Sequence, residues 1–281
     1  MITTNPFAEL TAVSDYITPG VMQAFVVVMV AFVIIGTLLD VMHKKSAKYF
    51  YEYEEKMKKY AKRDASNEKA SLLAKTITNE VLTSSEFSNP KRRMSHLLTM
   101  YGFIIFAIST AVMIFAYPEA RGDATPSIWP LLWHLGALML CIGGYWFWFA
   151  IRVDVFSEGH KWYEIDPIED MFVLSLLFTG TFALLWSLTN GYGLFFALFV
   201  VSAVMLFGGV YWSKFAHMFF KPAAAYQKKI FWADGSREKL PDVPDLSSPE
   251  TKKRFPDIPK YMGENPPNMG AGIRREPPNH Y

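Results

Sequence analysis

Long uncharged segments dominate the hydrophobic pattern of this 281-residue chain. The longest runs from Met171 to Ser213, covers 43 residues without Asp, Glu, Lys or Arg, and is divided by the turn-forming segment 190–193, Asn-Gly-Tyr-Gly. Each half has about 20 apolar residues, which as a helix crosses a hydrocarbon core of ~30 Å. The pattern therefore predicts two membrane spans, over 168–190 and 193–220.

Three further apolar segments precede this run. We expect spans over 21–42, 95–117 and 127–151, because each segment holds enough consecutive apolar residues to cross the bilayer. Gln23 and Thr37 are the polar exceptions within the apolar part of the first span. The predicted fold class is all-α, with a five-helix transmembrane bundle that follows a short outer N-terminal segment, 1–20.

Two polar segments separate or follow the spans. Residues 43–94 combine good helix formers with apolar residues at helical spacing, which predicts a cytoplasmic helical hairpin. Residues 221–281 hold 10 of the 17 prolines of the chain. Such a composition buries little surface by itself, so this tail is either disordered or an extended proline-rich arm laid over a partner. The specific content of its last residues favours the arm.

The distribution of positive charge predicts the orientation. Of the 28 Lys and Arg residues, 13 lie in 43–94, two lie between the third and fourth spans, and 12 follow from Lys214 onward. Arg121 alone falls on the other side. By the positive-inside rule, the N-terminus lies outside and the large loop and C-terminal tail lie in the cytoplasm. The net charge of +2 gives no indication of nucleic-acid binding.

The remaining composition narrows the chemistry. A single cysteine, Cys141, excludes an internal disulfide and an iron–sulfur cluster held by the cysteines of this chain. The glycine pairs 143–144 and 208–209 suit close helix packing. Four tryptophans lie near predicted membrane interfaces, where aromatic belts occur: Trp129, Trp133, Trp162 and Trp212.

Histidines are the candidate functional residues. His96 begins the second span and His217 lies one turn before the end of the fifth, so both are expected at the cytoplasmic level. Two imidazoles at one depth on different helices can take both axial positions of a haem iron, the alternative being that both only reach the interface. His134 is expected about 10 Å deep in the outer half. His43 and His160 are weaker candidates, and His280 lies in the tail.

Short motifs carry a family resemblance. The segments Arg92–Leu98, Tyr101–Phe103, Trp133–Ala137 and Lys214–His217 resemble the gamma subunit of respiratory nitrate reductase. They are still more similar to the membrane subunits of quinone-interacting and heterodisulfide-reductase-like complexes. The resemblance implies haem b, held through its iron by His96 and His217, or an inner quinone site at these residues.

The chain departs from this family in the outer half of the bundle. Members of the family carry a second haem, held by a further His on both the second and the fifth span. Phe106 stands three turns beyond His96, and the fifth span offers Phe195, Phe196 and Phe199 instead of a histidine. At most one haem is therefore implied. His134, without a partner there, either contacts quinone or donates a hydrogen bond to a backbone carbonyl, the second being favoured.

A second resemblance covers more of the chain. The segments 44–50 and 223–229 and the proline-rich end are similar to the membrane anchor subunits of dissimilatory adenylylsulfate reductase from sulfur-oxidising bacteria. This implies a protein of the bacterial inner membrane without catalytic residues of its own. It would dock a soluble flavin and iron–sulfur adenylylsulfate reductase on the cytoplasmic side and pass electrons between that enzyme and the quinone pool.

Other functions remain open from the sequence. The protein could be a purely structural membrane tether without a redox cofactor, or the haem b subunit of a different quinone-linked oxidoreductase. A small transporter is disfavoured, because the spans contain neither a buried acid–base pair for coupling ions nor paired broken helices.

The charge asymmetry yields a prediction about topology. A reporter enzyme that is active only in the periplasm, fused after Tyr281, should be inactive, because 27 of the 28 basic residues are predicted to lie in the cytoplasm. The same reporter placed before the first span serves as the control and should be active. Periplasmic activity of the C-terminal fusion would contradict the orientation.

Overall fold

The computed structural model describes most of the chain. It covers residues 2–43, 46–85, 87, 89–119, 125–154, 159–167, 170–189, 193–213, 217–236 and 249–254. These residues are helical or lie in turns, and none of them forms a β-strand. They fall into two compact units, the first made of Met1–Lys44 and Lys91–Ala216, the second of Lys45–Pro90 and His217–Tyr281. The predicted all-α class is confirmed.

Ten α-helices are described. In chain order they are α1 (Pro6–Val13), α2 (Pro19–His43), α3 (Ser46–Lys58), α4 (Lys69–Thr76), α5 (Pro90–Phe115), α6 (Ile128–Trp146), α7 (Met171–Thr189), α8 (Leu194–Gly208), α9 (His217–Ala233) and α10 (Pro249–Arg254). π-Helical turns extend α4 over Ile77–Leu82 and α6 over Phe147–Ile151.

Four helices of the described chain are long and apolar enough to cross a membrane: Pro19–Met42, Pro90–Phe115, Ile128–Ile151 and Met171–Thr189. This indicates a multi-pass membrane protein. The second of these helices begins at Pro90, five residues before the predicted start of the span. Proline suits the first turn of a helix because the N–H that it lacks would have no partner there.

The fifth predicted span differs from the structure. The expectation of one helix over 193–220 is wrong, since α8 ends at Gly208 after 15 residues. At 1.5 Å per residue α8 is about 22 Å long. Turns follow up to Ser213, and α9 begins at His217. The helix ends at the Gly208–Gly209 pair because glycine has a low helix propensity. The Gly209 N–H donates the last hydrogen bond of the helix, to the Met205 carbonyl at 2.9 Å.

Helices α5 and α6 approach each other at the level of their backbones. On α5 the small residues Ser95, Gly102 and Ser109 are buried at intervals of seven. A Cβ added to Gly102 would lie 2.7 Å from the Leu140 nitrogen and 2.8 Å from the Gly136 carbonyl oxygen. Ser95 Oγ donates to the Gly143 carbonyl at 2.8 Å. This packing confirms the expectation for Gly143 and adds hydrogen bonding to van der Waals contact.

The N-terminal segment closes one end of the first unit. The amide nitrogen of Asn5 donates to the Met113 carbonyl at 3.3 Å and to the Tyr117 carbonyl at 2.9 Å. Its side-chain oxygen accepts from the Phe7 and Ala8 N–H groups and caps α1. Asn5 therefore provides hydrogen-bond partners for backbone N–H groups at the start of α1 and for backbone carbonyls at the end of α5.

Gln23 has the same function within the first span. Its side-chain nitrogen donates to the Ile114 carbonyl, again at the end of α5, at 3.2 Å. The carbonyls in the last turn of a helix have no partner within that helix. The polar exception in an apolar span therefore satisfies a backbone group of a neighbouring helix.

The second unit is assembled from two distant parts of the chain. Gln227 of α9 donates to the Phe50 carbonyl of α3 at 3.0 Å, and Lys229 of α9 pairs with Glu80 at 2.9 Å. The Lys62 N–H donates to the Asp234 carbonyl at 2.8 Å. Helices α3 and α4 are thus the expected helical segments of 43–94. The prediction of an extended tail from residue 221 is wrong for its first part, because residues 221–233 belong to α9. Residues 237–248 and 255–281 of the predicted tail lie outside the described residues.

The contact between α5 and α6 gives a prediction about stability. Replacing Gly102 by Ala should lower the free energy of unfolding by about 1–3 kcal/mol, because the new methyl group meets rigid backbone atoms. Gly20→Ala is the matched control, since the nearest atom, Thr18 Oγ1, lies 3.9 Å from the added carbon. Unfolding of both variants in detergent measures the difference, and equal stability would contradict the packing described above.

Candidate functional site

The two histidines predicted as haem ligands lie in different units. His96 lies in the second turn of α5, in the first unit, and is half-buried. His217 is the first residue of α9, in the second unit, and its side chain falls outside the described residues. Their convergence on one iron therefore stays a prediction.

The surroundings of His96 limit what it can bind. Seven residues along α5, on the same face of the helix, Phe103 meets Phe207 of α8 with ring centroids 6.3 Å apart. This contact lies about 10 Å along the helix axis from His96. Beside His96, Ser95 is bonded to α6, where the backbones leave no room for a porphyrin. A haem or quinone at His96 would thus be confined to the space between the Phe103–Phe207 contact and the nearer end of the bundle.

An aromatic cluster fills the other half of the first unit. Phe106 stacks on Trp133 at 5.2 Å, Trp186 stacks on Phe199 at 5.7 Å, and the two tryptophan rings lie 6.1 Å apart. Phe7 of α1 contacts both tryptophans edge to face. The expectation that Phe106 and Phe199 occupy this half is confirmed. Trp133, which was predicted to lie near a membrane interface, is fully buried in this cluster and therefore does not face lipid.

His134 lies beside this cluster and both of its ring nitrogens are engaged. Nδ1 is 2.7 Å from the Pro130 carbonyl oxygen, and Nε2 is 2.6 Å from Ser187 Oγ. A carbonyl only accepts, so Nδ1 carries the proton, and Nε2 of the neutral ring then accepts from the serine hydroxyl. The favoured prediction for His134, a hydrogen bond to a backbone carbonyl, is confirmed. In this geometry neither nitrogen is available to a quinone.

The two weaker candidates lie apart from each other in the chain. His43 is the last residue of α2, and its side chain falls outside the described residues. The side chain of His160 is exposed in the α6–α7 connection, and the backbone N–H of this residue donates to the Arg152 carbonyl at 3.1 Å. Among the described residues, no group of three His, Cys, Asp or Glu side chains could hold a metal ion. A haem iron with two axial histidines requires only a pair, so this result does not test the haem prediction.

Arg152 organises a site that the sequence interpretation missed. Its side chain is 3% exposed and pairs with Asp170, 10% exposed, at 2.5 Å. Nη1 also donates to the Lys161 carbonyl at 2.9 Å, and Nη2 donates to the Glu164 carbonyl at 2.7 Å. The guanidinium carbon lies 4.3 Å from the centre of the Trp148 ring. One cation thus holds both ends and the middle of the connection between α6 and α7.

Hydrogen bonds between side chains and backbone groups complete this arrangement. Trp148 Nε1 donates to the Trp162 carbonyl at 3.1 Å, and the Asp166 N–H donates to Asp170 Oδ2 at 2.8 Å. The Lys161 N–H bonds the Glu164 carboxylate and lowers the pKa of that group, which stays charged at neutral pH. A signal for this site was present in the sequence: Arg152 directly follows one uncharged span, and Asp170 directly precedes the longest uncharged run.

Comparisons with known proteins add no relative. No family model, no curated protein and no solved structure matches this chain.

The buried ion pair gives a prediction about stability. Arg152→Met should lower the free energy of unfolding by about 3–5 kcal/mol, because the Asp170 carboxylate then stays buried without its cation. The control on the same connection is Lys161→Met, whose partner Glu164 is exposed, and this variant should lose far less stability than Arg152→Met. Denaturation of both variants in detergent provides the comparison. A similar small loss in both would mean that Arg152 does not hold the connection.

Proposed function

We propose that this protein is a membrane anchor that docks a soluble cytoplasmic oxidoreductase and passes electrons between that enzyme and the quinone pool. The proposed partner is a flavin and iron–sulfur enzyme of the adenylylsulfate reductase class, and the proposed location is a bacterial inner membrane with the C-terminus inside. The anchor itself performs no substrate chemistry. Five membrane crossings, with α8 as the shortest, belong to this proposal.

The observation that carries the proposal is the second unit. Two polar segments that are separated by the main group of spans, 45–90 and 217 onward, fold together into a compact helical body. Its internal contacts include the half-buried Lys229–Glu80 pair and an edge-to-face contact between Tyr53 and Phe231 at 5.4 Å. A structured polar body of this kind offers a surface on which a soluble partner can dock.

Charge and exposed aromatic groups on this unit support docking. The pair of Lys58 with Glu54 lies on the surface of α3, and the hydrogen bond between them raises the pKa of Lys58, so the lysine stays charged. Tyr51, Tyr60 and Trp232 are exposed. Aromatic side chains surrounded by charge are typical of protein–protein interfaces.

The electron-transfer part of the proposal depends on the resemblance and on His96. At most one haem b, with His96 and His217 as its ligands, would lie at the proposed cytoplasmic end, close to a docked cluster. When bound, the haem would relay single electrons between the cluster and quinone. The alternative at the same place is a quinone site without haem.

A second candidate function is a purely structural tether. It is favoured by the aromatic cluster, which fills half of the first unit with side chains, and by the engagement of both nitrogens of His134. These features describe a rigid anchor whose aromatic half serves packing rather than electron transfer.

Purification from native membranes tests the proposal. The tagged protein should retain one soluble flavoprotein, identified by mass spectrometry, and a pyridine haemochrome assay should detect at most one haem per chain. His96→Ala and His217→Ala should each abolish the haem, whereas His134→Ala should retain it. Partner without haem in the wild type would favour the tether or a quinone site without haem.

Two truncations locate the docking surface. A chain that ends at residue 239 keeps α9 and loses the rest of the tail, and a chain that ends at residue 216 loses α9 as well. If the second unit docks the partner, the first truncation retains some partner and the second retains none. If the partner is already lost completely with the first truncation, docking is assigned to the tail. Unchanged retention by both would contradict the proposal.

A further inference from the structure

A continuous strip of exposed aromatic rings runs from α6 onto the α6–α7 connection. Tyr145 stacks on Phe149 at 6.1 Å, Phe149 contacts Trp162 at 6.4 Å, and Trp162 contacts Tyr163 edge to face at 5.5 Å. Phe149 lies on a predicted membrane span and is 54% exposed. The strip therefore joins the surface that the span offers to lipid to residues beyond the end of that span.

The connection holds its apolar side chains outward. Trp162, Tyr163 and Ile165 are 57%, 58% and 59% exposed. The carbonyls of residues 161, 162 and 164 accept hydrogen bonds from Arg152 and Trp148, which turns the backbone inward and leaves these side chains on the outside. The exposure is thus built into the structure by a buried arginine.

We propose that Trp162, Tyr163 and Ile165 insert into the lipid interface at this end of the spans and anchor the α6–α7 connection there. Three large apolar side chains within four residues would be unfavourable in water, whereas tryptophan and tyrosine are enriched where headgroups meet acyl chains. Lys161, whose ammonium lies 5.6 Å from the Tyr163 ring centre, can face lipid phosphates from the same position.

The physical advantage is a fixed depth for the bundle. Tilt and depth of membrane helices are set by neighbouring helices and by interfacial anchors of this kind. Because Arg152 ties the connection to α6 and Asp170 ties it to the start of α7, insertion of the connection would fix both helices at one depth.

Spin labelling tests this assignment. The single cysteine is first replaced by Cys141→Ala, and Ile165→Cys is then labelled with a nitroxide in the full-length protein. Ile165 reports on insertion while Trp162 and Tyr163 stay in place. The matched control is His160→Cys on the same connection, whose side chain is exposed but polar. Both proteins are reconstituted into vesicles of phosphatidylcholine and phosphatidylglycerol.

Collisions with oxygen and with a water-soluble nickel chelate give the depth of each label. The label at 165 should collide several-fold more with oxygen than with nickel, and the label at 160 should show the reverse. Equal, nickel-dominated collisions at both positions would place the connection in water and overturn the proposal. Protection of position 165 from both reagents would also overturn it, since that result indicates protein rather than lipid over this surface.

Arg152→Lys in the Ile165→Cys protein tests whether the arginine positions the connection. Lysine keeps the charge but lacks the planar fork that reaches two carbonyls and a carboxylate together. The oxygen preference at position 165 should fall. In a separate Arg152→Lys protein labelled on α2 through Val28→Cys instead, the oxygen preference should stay unchanged, which verifies that the bundle remains inserted. An unchanged preference at 165 would mean that insertion does not depend on Arg152 and would overturn that part of the proposal.

Discussion

The interior of a membrane-spanning bundle offers no water to polar groups, so a polar group there is costly unless it has a partner within the protein. This constraint accounts for the polar contacts of the first unit. Asn5 and Gln23 satisfy carbonyls in the last turns of α5, and Ser95 satisfies a carbonyl of α6. His134 is bonded at both nitrogens. These side chains join one helix to another, so they determine which helices are neighbours.

The same constraint separates structural from functional interpretations of buried polar residues. An ionisable or polar residue at membrane depth is costly and is therefore first suspected of function. For His134 the cost is met by a carbonyl and a hydroxyl, which leaves the residue with a role in packing. For Arg152 the cost is met by a carboxylate and two carbonyls, and the consequence is a connection with a defined shape. The arrangement of partners, rather than burial, distinguishes the two roles.

Division into two units is the second main property of this protein. The first unit carries the four long apolar helices and the aromatic cluster, and the second is polar and helical. Helix α9 belongs to the second unit because its side chains meet α3 and the segment after α4, as the contacts of Gln227 and Lys229 demonstrate. A proline-rich composition suggested an extended tail from residue 221. Pro222 nevertheless lies inside α9, in its second turn, where it removes one N–H donor from the hydrogen bonds of the helix.

Sequence alone determined the membrane class, the long apolar helices and the helical character of 43–94. The length and hydrophobicity of a segment are local properties, and they decide by themselves whether the segment is more stable in a bilayer or in water. It also predicted, from Phe106 and Phe199, that aromatic side chains fill the other half of the bundle. Partners distant in the chain were decided only by tertiary structure. The assignment of Trp133 to the core, the two bonds of His134 and the pairing of Arg152 with Asp170 depend on which helix faces meet, and hydrophobic periodicity leaves those faces open when a span is apolar all round. The end of α8 at Gly208 was also decided only by tertiary structure. A glycine pair is compatible both with close packing inside a helix and with a turn, and the neighbouring residues in the fold determine which of the two forms.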